Sequence, residues 1–195
     1  MEIVTAVAYP EVHDAYLRDH PVERAHEANS NMYAEENLER ADRIPGGWWR
    51  VRLSRADVLG VVLPWHISEG GALELVPRSG LTVSEAAERI RSAETAWTAA
   101  NPVCSAKLRL LRRAPFTPLF LSTAPVEHPD YGELTVRSGL IHLDGLHRML
   151  AWELAGRLPE RAVLDGYLVG DPRVAAGPVR TGRTGRTGRT GDESA

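Results

Sequence analysis

Asp144-Gly145-Leu146-His147-Arg148 is the run in which residue type and spacing together suggest chemistry. A glycine turn that opens a helix presents unpaired backbone N–H groups and the positive end of the helix dipole. A cation in that first turn is disfavoured by about 0.3 to 1 kcal/mol, yet His147 and Arg148 both stand there. A bound anion reverses the sign, because amides, dipole and guanidinium then share one acceptor, and each charge-assisted hydrogen bond contributes about 1.5 to 3 kcal/mol. The run therefore reads as a phosphate or sulfate site. Gly145, Leu146 and His147 offer amides, His147 and Arg148 neutralise charge, and Asp144 either caps the helix or holds Mg²⁺. The plainer alternative makes Arg148 a solvated helix residue and His147 a packed one.

The flanking sequence supplies what would position these groups. Leu140 to Leu143 is a short apolar run bounded by Gly139 and Asp144-Gly145, which suits a strand. Leu146, Met149, Leu150 and Leu154 recur at the spacing of one buried helix face, and Gly156, Arg157 and Pro159 form a stop signal. The reading is strand, glycine turn, helix, followed by a strand over Arg161–Val169.

This turn, its helix and the following strand resemble the phosphate-binding core of the ParB/sulfiredoxin superfamily. Within it, the Asp-Gly-x-His-Arg form is most similar to the nucleotide-dependent free-serine kinases. The partition proteins carry a Gly-x-Arg-Arg box instead, and sulfiredoxin a Gly-Cys-His-Arg form. The resemblance runs from about Arg50 to Gly170 and is strong in the last third. It implies an α+β fold: a ParB/sulfiredoxin-like core of a small mixed sheet with flanking helices, here extended by an N-terminal helical segment. It also implies ATP or ADP with Mg²⁺, and a glutamate in the first third of the core as general base, a place that Glu69 holds in the order of elements. The whole chain further resembles a small actinomycete family of secondary-metabolite clusters, a likeness that says little about a reaction.

At 195 residues, with 43% hydrophobic and 25% charged residues, the chain has the composition of one globular domain with appendages. A net charge of -3 gives no general attraction to nucleic acid, and neither a basic face nor a helix-turn-helix signal supports a DNA-binding role. No apolar window approaches a membrane span and no basic-then-apolar leader opens the sequence, so the cytoplasm is the default location. Cys104 is the sole cysteine, which excludes an internal disulfide and a thiolate cluster within one chain. It lies outside the turn, so sulfiredoxin chemistry lacks its nucleophile in the expected place.

Residues 1–47 read as an N-terminal helical extension, 48–170 as the core domain and 171–195 as a disordered Arg-Thr-Gly tail. Met1 to Tyr9 suits an edge strand or an entry segment, Pro10 opens a helix, and Pro21 to Ile44 is highly charged with a thin apolar face that suits packing across the domain or against a protein partner. His26, Glu27 and Asn29 on that stretch are surface residues or face a substrate; the second histidine of a zinc-hydrolase motif is missing. Trp48 to Leu53 alternates as a half-buried strand. Between two apolar runs, the loop Pro64–Gly71 concentrates His66, Ser68 and Glu69 beside glycines, so Glu69 deprotonates an acceptor, with His66 on the substrate, or is an exposed acid. Thr82 and Glu85 have capping-box spacing ahead of a helix reaching Trp97. Phe116 to Ser122 reads as an edge strand because of Pro118, its hydroxyl end Ser122-Thr123 emerging beside the glycine turn to bind the cofactor. The loop from Ala124 to Ser138, with His128 toward substrate, is a lid or a plain connection.

Two functions follow. One is a phosphotransferase moving a phosphoryl group from a nucleotide to the hydroxyl of a small polar metabolite, in secondary metabolism. The other is a non-catalytic nucleotide- or anion-binding partner subunit of a biosynthetic transferase.

Overall fold

The computed structural model describes residues 1–20 and 34–175. Its frame is a seven-stranded mixed sheet, mostly antiparallel, covered by helices on both faces. Strand β1 (Glu2–Val7) forms one edge and pairs antiparallel with β2 (Trp48–Leu53), which pairs antiparallel with β9 (Leu164–Val169). Then come β7 (Leu119–Ser122), parallel to β9, and β8 (Ile141–Asp144), antiparallel to β7. Strand β3 (Val62–Leu63), parallel to β8, and β6 (Leu81–Thr82) complete the sheet, while β4 (His66–Ile67) and β5 (Glu74–Val76) make a separate hairpin.

Residues in β7 and β8 are buried throughout, which explains their near-continuous apolar runs: central strands between two helical layers need no polar face. Pro118 therefore does not mark an edge. It precedes the strand and removes no ladder hydrogen bond, so β7 lies between β9 and β8. In β2 the alternation holds, with Val51 and Leu53 buried and Arg50 and Arg52 exposed.

One face is covered by α3 (Arg55–Leu59), α4 (Val83–Ser92), α5 (Glu94–Ala100), α6 (Pro102–Leu111) and α7 (Leu146–Leu154). The capping box at Thr82 and Glu85 is formed, each side chain accepting from the other's backbone N–H, but the helix breaks at Ala93 into α4 and α5. Helix α7 packs against both α4 and α6, so its buried surface extends beyond a single stripe to Ala151, Trp152 and Glu153. Glu153 is 5% exposed and ties three helices together: Arg55 donates Nε and Nη2 to it at 3.1 and 2.9 Å, and Arg91 donates Nη2 at 2.9 Å.

The other face is closed by the N-terminal segment. Helices α1 (Tyr9–Asp19) and α2 (Ala34–Ala41) set Val12, Ala15, Tyr16, Ala34, Leu38 and Ala41 against Phe120, Ile141, Leu143 and Val169. With β1 in the sheet as well, the described residues before 48 belong to the same layered body. His26, Glu27 and Asn29 lie outside the described residues, as does the tail beyond a short helix α8 (Pro172–Ala175). Among the described residues no helix is long and apolar enough to cross a membrane.

Candidate functional site

A cavity of about 170 Å³ opens where β8 passes through Gly145 into α7. The turn supplies Asp144 to Arg148, and the walls come from distant segments: His20 at the end of α1, Asn37 on α2, Trp65 and His66 around β4, Lys107 on α6, and Asp130 and Tyr131 on a single 3-10 turn. Gly145 has φ +111, and an added Cβ would meet Leu119 Cδ2 at 2.6 Å, so only glycine turns the chain here.

Gly145 is also the residue that caps α7, with no side-chain cap hydrogen bond, so Asp144 is not the helix cap. Its carboxylate instead accepts from Arg148 one turn later. The cap role falls to a histidine absent from the sequence-based candidates: His142 Nε2 accepts the Leu146 N–H at 3.0 Å. That bond requires a neutral ring, and burial, with Asp144 opposing, pushes His142 down to about 4. The Tyr131 hydroxyl fixes the strand by donating to the His142 carbonyl at 2.9 Å, and His142 Nδ1 has no hydrogen-bond partner among the described residues.

Arg148 is 11% exposed, and its guanidinium donates to Asp144, to Asp19 at the end of α1, and to Thr117 ahead of β7. Burial acts to raise the Asp144 carboxyl, but Arg148, followed by His20 and His142, outweighs it and holds the group below its ordinary range. His20 stacks on Tyr16 at 4.2 Å and sits 3.6 Å from Asp144 through Nε2. One oxygen or nitrogen from each of Asp19, His20 and Asp144 lies within 4.8 Å of the others, a donor set able to hold a cation.

His147 faces a different neighbour. Its Nε2 lies 3.1 Å from Cys104 Sγ, and His66 Nε2 approaches the same sulfur at 3.4 Å. Burial drives the His147 ring well below its usual value; burial and then Lys107 lower His66 to about 4; and burial pushes the Cys104 thiol up against Ser68 and Lys107. The chain belongs to the family described as "Family of unknown function (DUF6309)", whose model matches residues 1–187. No curated protein and no solved structure matches it.

The charge anomaly seen in the sequence is thus resolved within the protein. His147 is uncharged at neutral pH, and Arg148 is neutralised in place by two carboxylates, so the turn does not offer a pair of unengaged cations to an anion. Of the expected site residues, Asp144, Gly145, Leu146, His147, Arg148 and His66 all line the cavity. Glu69 does not; it is exposed beyond β4. Ser122 and Thr123 do not either, because β7 runs antiparallel to β8 with Phe120 opposite Asp144 and Ser122 opposite Ile141. The hydroxyl pair therefore sits at the far end of the strand, where Ser122 donates to the Ala124 carbonyl at 2.7 Å, and Thr117 takes its place beside the turn. His128 caps the 3-10 turn, accepting the Asp130 N–H at 3.2 Å. Asp19, Lys107, Tyr131, His142 and the Cys104 contact were not foreseen. Of these, only a histidine inside the apolar run Leu140–Leu143 left a readable sign.

Proposed function

We propose that this chain binds ATP or ADP as its Mg²⁺ complex at the glycine turn and transfers a phosphoryl group to the hydroxyl of a small polar metabolite. The observation that carries the reading is the convergence of Asp19 and Asp144 on Arg148 at the first turn of α7, with His20 beside both carboxylates. With two carboxylates already facing one guanidinium, the turn has no surplus positive charge, so a phosphate would enter with its own cation. The two carboxylates suit a hard divalent ion that keeps waters and shares phosphate oxygens, with the His20 imidazole beside them rather than on the ion. When bound, that ion supplies charge neutralisation to the transferring group.

The remaining roles fall to groups around the cavity. Arg148 is partly buried and oriented by three acceptors, so its charge is fixed before any ligand arrives, which is the pre-organisation that phosphoryl transfer rewards. His142 holds the first turn of α7 by its neutral ring. The base assigned by resemblance to Glu69 would be Asp130, a cavity carboxylate that Arg148 does not engage. The Asp-Gly-x-His-Arg order and its resemblance to the ParB/sulfiredoxin superfamily support the same reading.

A second reading, a nucleotide- or anion-binding partner subunit without turnover, is favoured by the exposure of Glu69 outside the cavity. Calorimetric titration of ATP and ADP, with and without Mg²⁺, tests both. Mg²⁺-dependent binding lost in Asp144→Asn is expected, and turnover of a hydroxyl acceptor then separates enzyme from binding subunit. Absence of binding under both conditions sinks the two readings together.

A further inference from the structure

The geometry points to a second cation site of softer donors, in which His66, Cys104 and His147 hold a zinc ion at the cavity wall. The three side chains come from β4, α6 and α7, and the sulfur is 38 residues from one histidine and 43 from the other. Their ligand atoms lie within 4.8 Å of one another. Zinc bonds of about 2.0 to 2.1 Å to nitrogen and about 2.3 Å to sulfur give a tetrahedral N···S edge of about 3.5 Å. The two observed edges, 3.1 and 3.4 Å, are already close to that figure. The rings meet at 80° with centroids 5.0 Å apart, so both Nε2 atoms approach one sulfur without stacking on each other.

A neutral thiol is only a weak donor and a weak acceptor, whereas a thiolate facing two imidazole nitrogens is a strong donor set for a soft cation. A second observation lies in the same cavity: His142, 5% exposed, lines it and leaves Nδ1 without a partner among the described residues. Three protein ligands leave a fourth position for water or a ligand oxygen, the pattern of zinc sites that act on substrates. Two nitrogens and one sulfur do not suit Mg²⁺ or Ca²⁺, which take oxygen. On binding, the ion displaces the Cys104 proton to solvent, and the thiolate offsets part of its charge beside Lys107. His147 and Arg148 are adjacent on α7 and so point about 100° apart around the helix axis. Each therefore serves its own cluster, and the zinc site does not rest on the nucleotide reading.

Co²⁺ is the probe, titrated into the full chain after chelator treatment. The expected result is saturation at one equivalent, with a thiolate-to-cobalt charge-transfer band in the near ultraviolet, tetrahedral d–d bands in the visible, and release of the ion by Zn²⁺. Cys104→Ser should abolish the charge-transfer band and weaken binding at least tenfold, while His147→Gln should weaken binding and keep a sulfur-to-metal band. Asp144→Asn should leave the spectrum unchanged, separating this site from the carboxylate cluster. A parent protein that shows no such band at saturating Co²⁺, or a folded Cys104→Ser variant with the parent spectrum, would overturn the proposal.

Discussion

Arg148→Ala is the perturbation that asks most of the site. The guanidinium is the shared partner of Asp19 and Asp144, and both carboxylates are close to buried, with 11% and 9% of their side chains exposed. Its removal leaves two negative groups facing each other across the turn with His20 as their neighbour. Breaking a buried pair by deleting one member costs about 3 to 5 kcal/mol, because the remaining charge loses its compensation without regaining water. For a chain of this size each kcal/mol moves the melting temperature by about 2 to 4 °C, so the variant should melt about 6 to 20 °C below the parent. Mg²⁺ should then recover part of the loss in the variant. An ion present at one hundred times its dissociation constant adds about 2.7 kcal/mol, and in the variant the two carboxylates no longer share their oxygens with a guanidinium. The assay is thermal unfolding of both proteins with and without Mg²⁺. A variant that melts within about 2 °C of the parent, or less than about 1 kcal/mol away, refutes the claim that Arg148 ties α1 to the turn. A large loss that Mg²⁺ does not touch refutes the carboxylates' role as a cation site.

Two further outcomes bear on the frame around the site. Burial acts to raise Glu153, but the hydrogen bonds from Arg55 and Arg91 outweigh it, so its folded value lies below the unfolded one. The stabilisation is therefore complete above the ordinary carboxylate range and is lost as pH falls through the depressed value. Glu153→Gln should cost about 1 to 3 kcal/mol at neutral pH, toward the low end because Arg55 and Arg91 are 38% and 43% exposed and solvent-screened. The gap to the parent should close in acid; a gap that stays constant from neutral pH into acid would falsify the assignment. Gly145→Ala forces a side chain into φ +111 against Leu119, which should lower stability by about 1 to 3 kcal/mol from the backbone alone. The urea midpoint measures it, and an unchanged midpoint would show that the turn relaxes.

What was readable in the sequence was local. Leu146, Met149 and Leu150 repeat with the helix, Gly145 sits where only glycine fits, and Thr82 and Glu85 need only each other, so α7, its turn and the start of α4 follow from neighbours along the chain. The charge state of the turn did not follow from neighbours. His147 looks like a cation until α6 buries it, and Arg148 looks unpaired until Asp19, 129 residues away, reaches it. Strand direction was equally hidden: nothing within Phe116 to Ser122 says which end lies beside Asp144, and the antiparallel pairing exchanges Ser122 and Thr123 for Thr117.

The same long-range logic decides where the N-terminal segment packs. Its sparse apolar positions suggested packing across the domain or against a partner, and Val12, Tyr16 and Leu38 cover the sheet face left bare by α3 to α7. That packing places the end of α1 so that Asp19 and His20 stand at the mouth of the glycine turn. A boundary drawn at residue 47 would therefore cut through the cation cluster, separating Asp19 and His20 from Asp144 and Arg148. The segment that closes the core also completes the site, so the stability of that face and the chemistry of the cavity are one property.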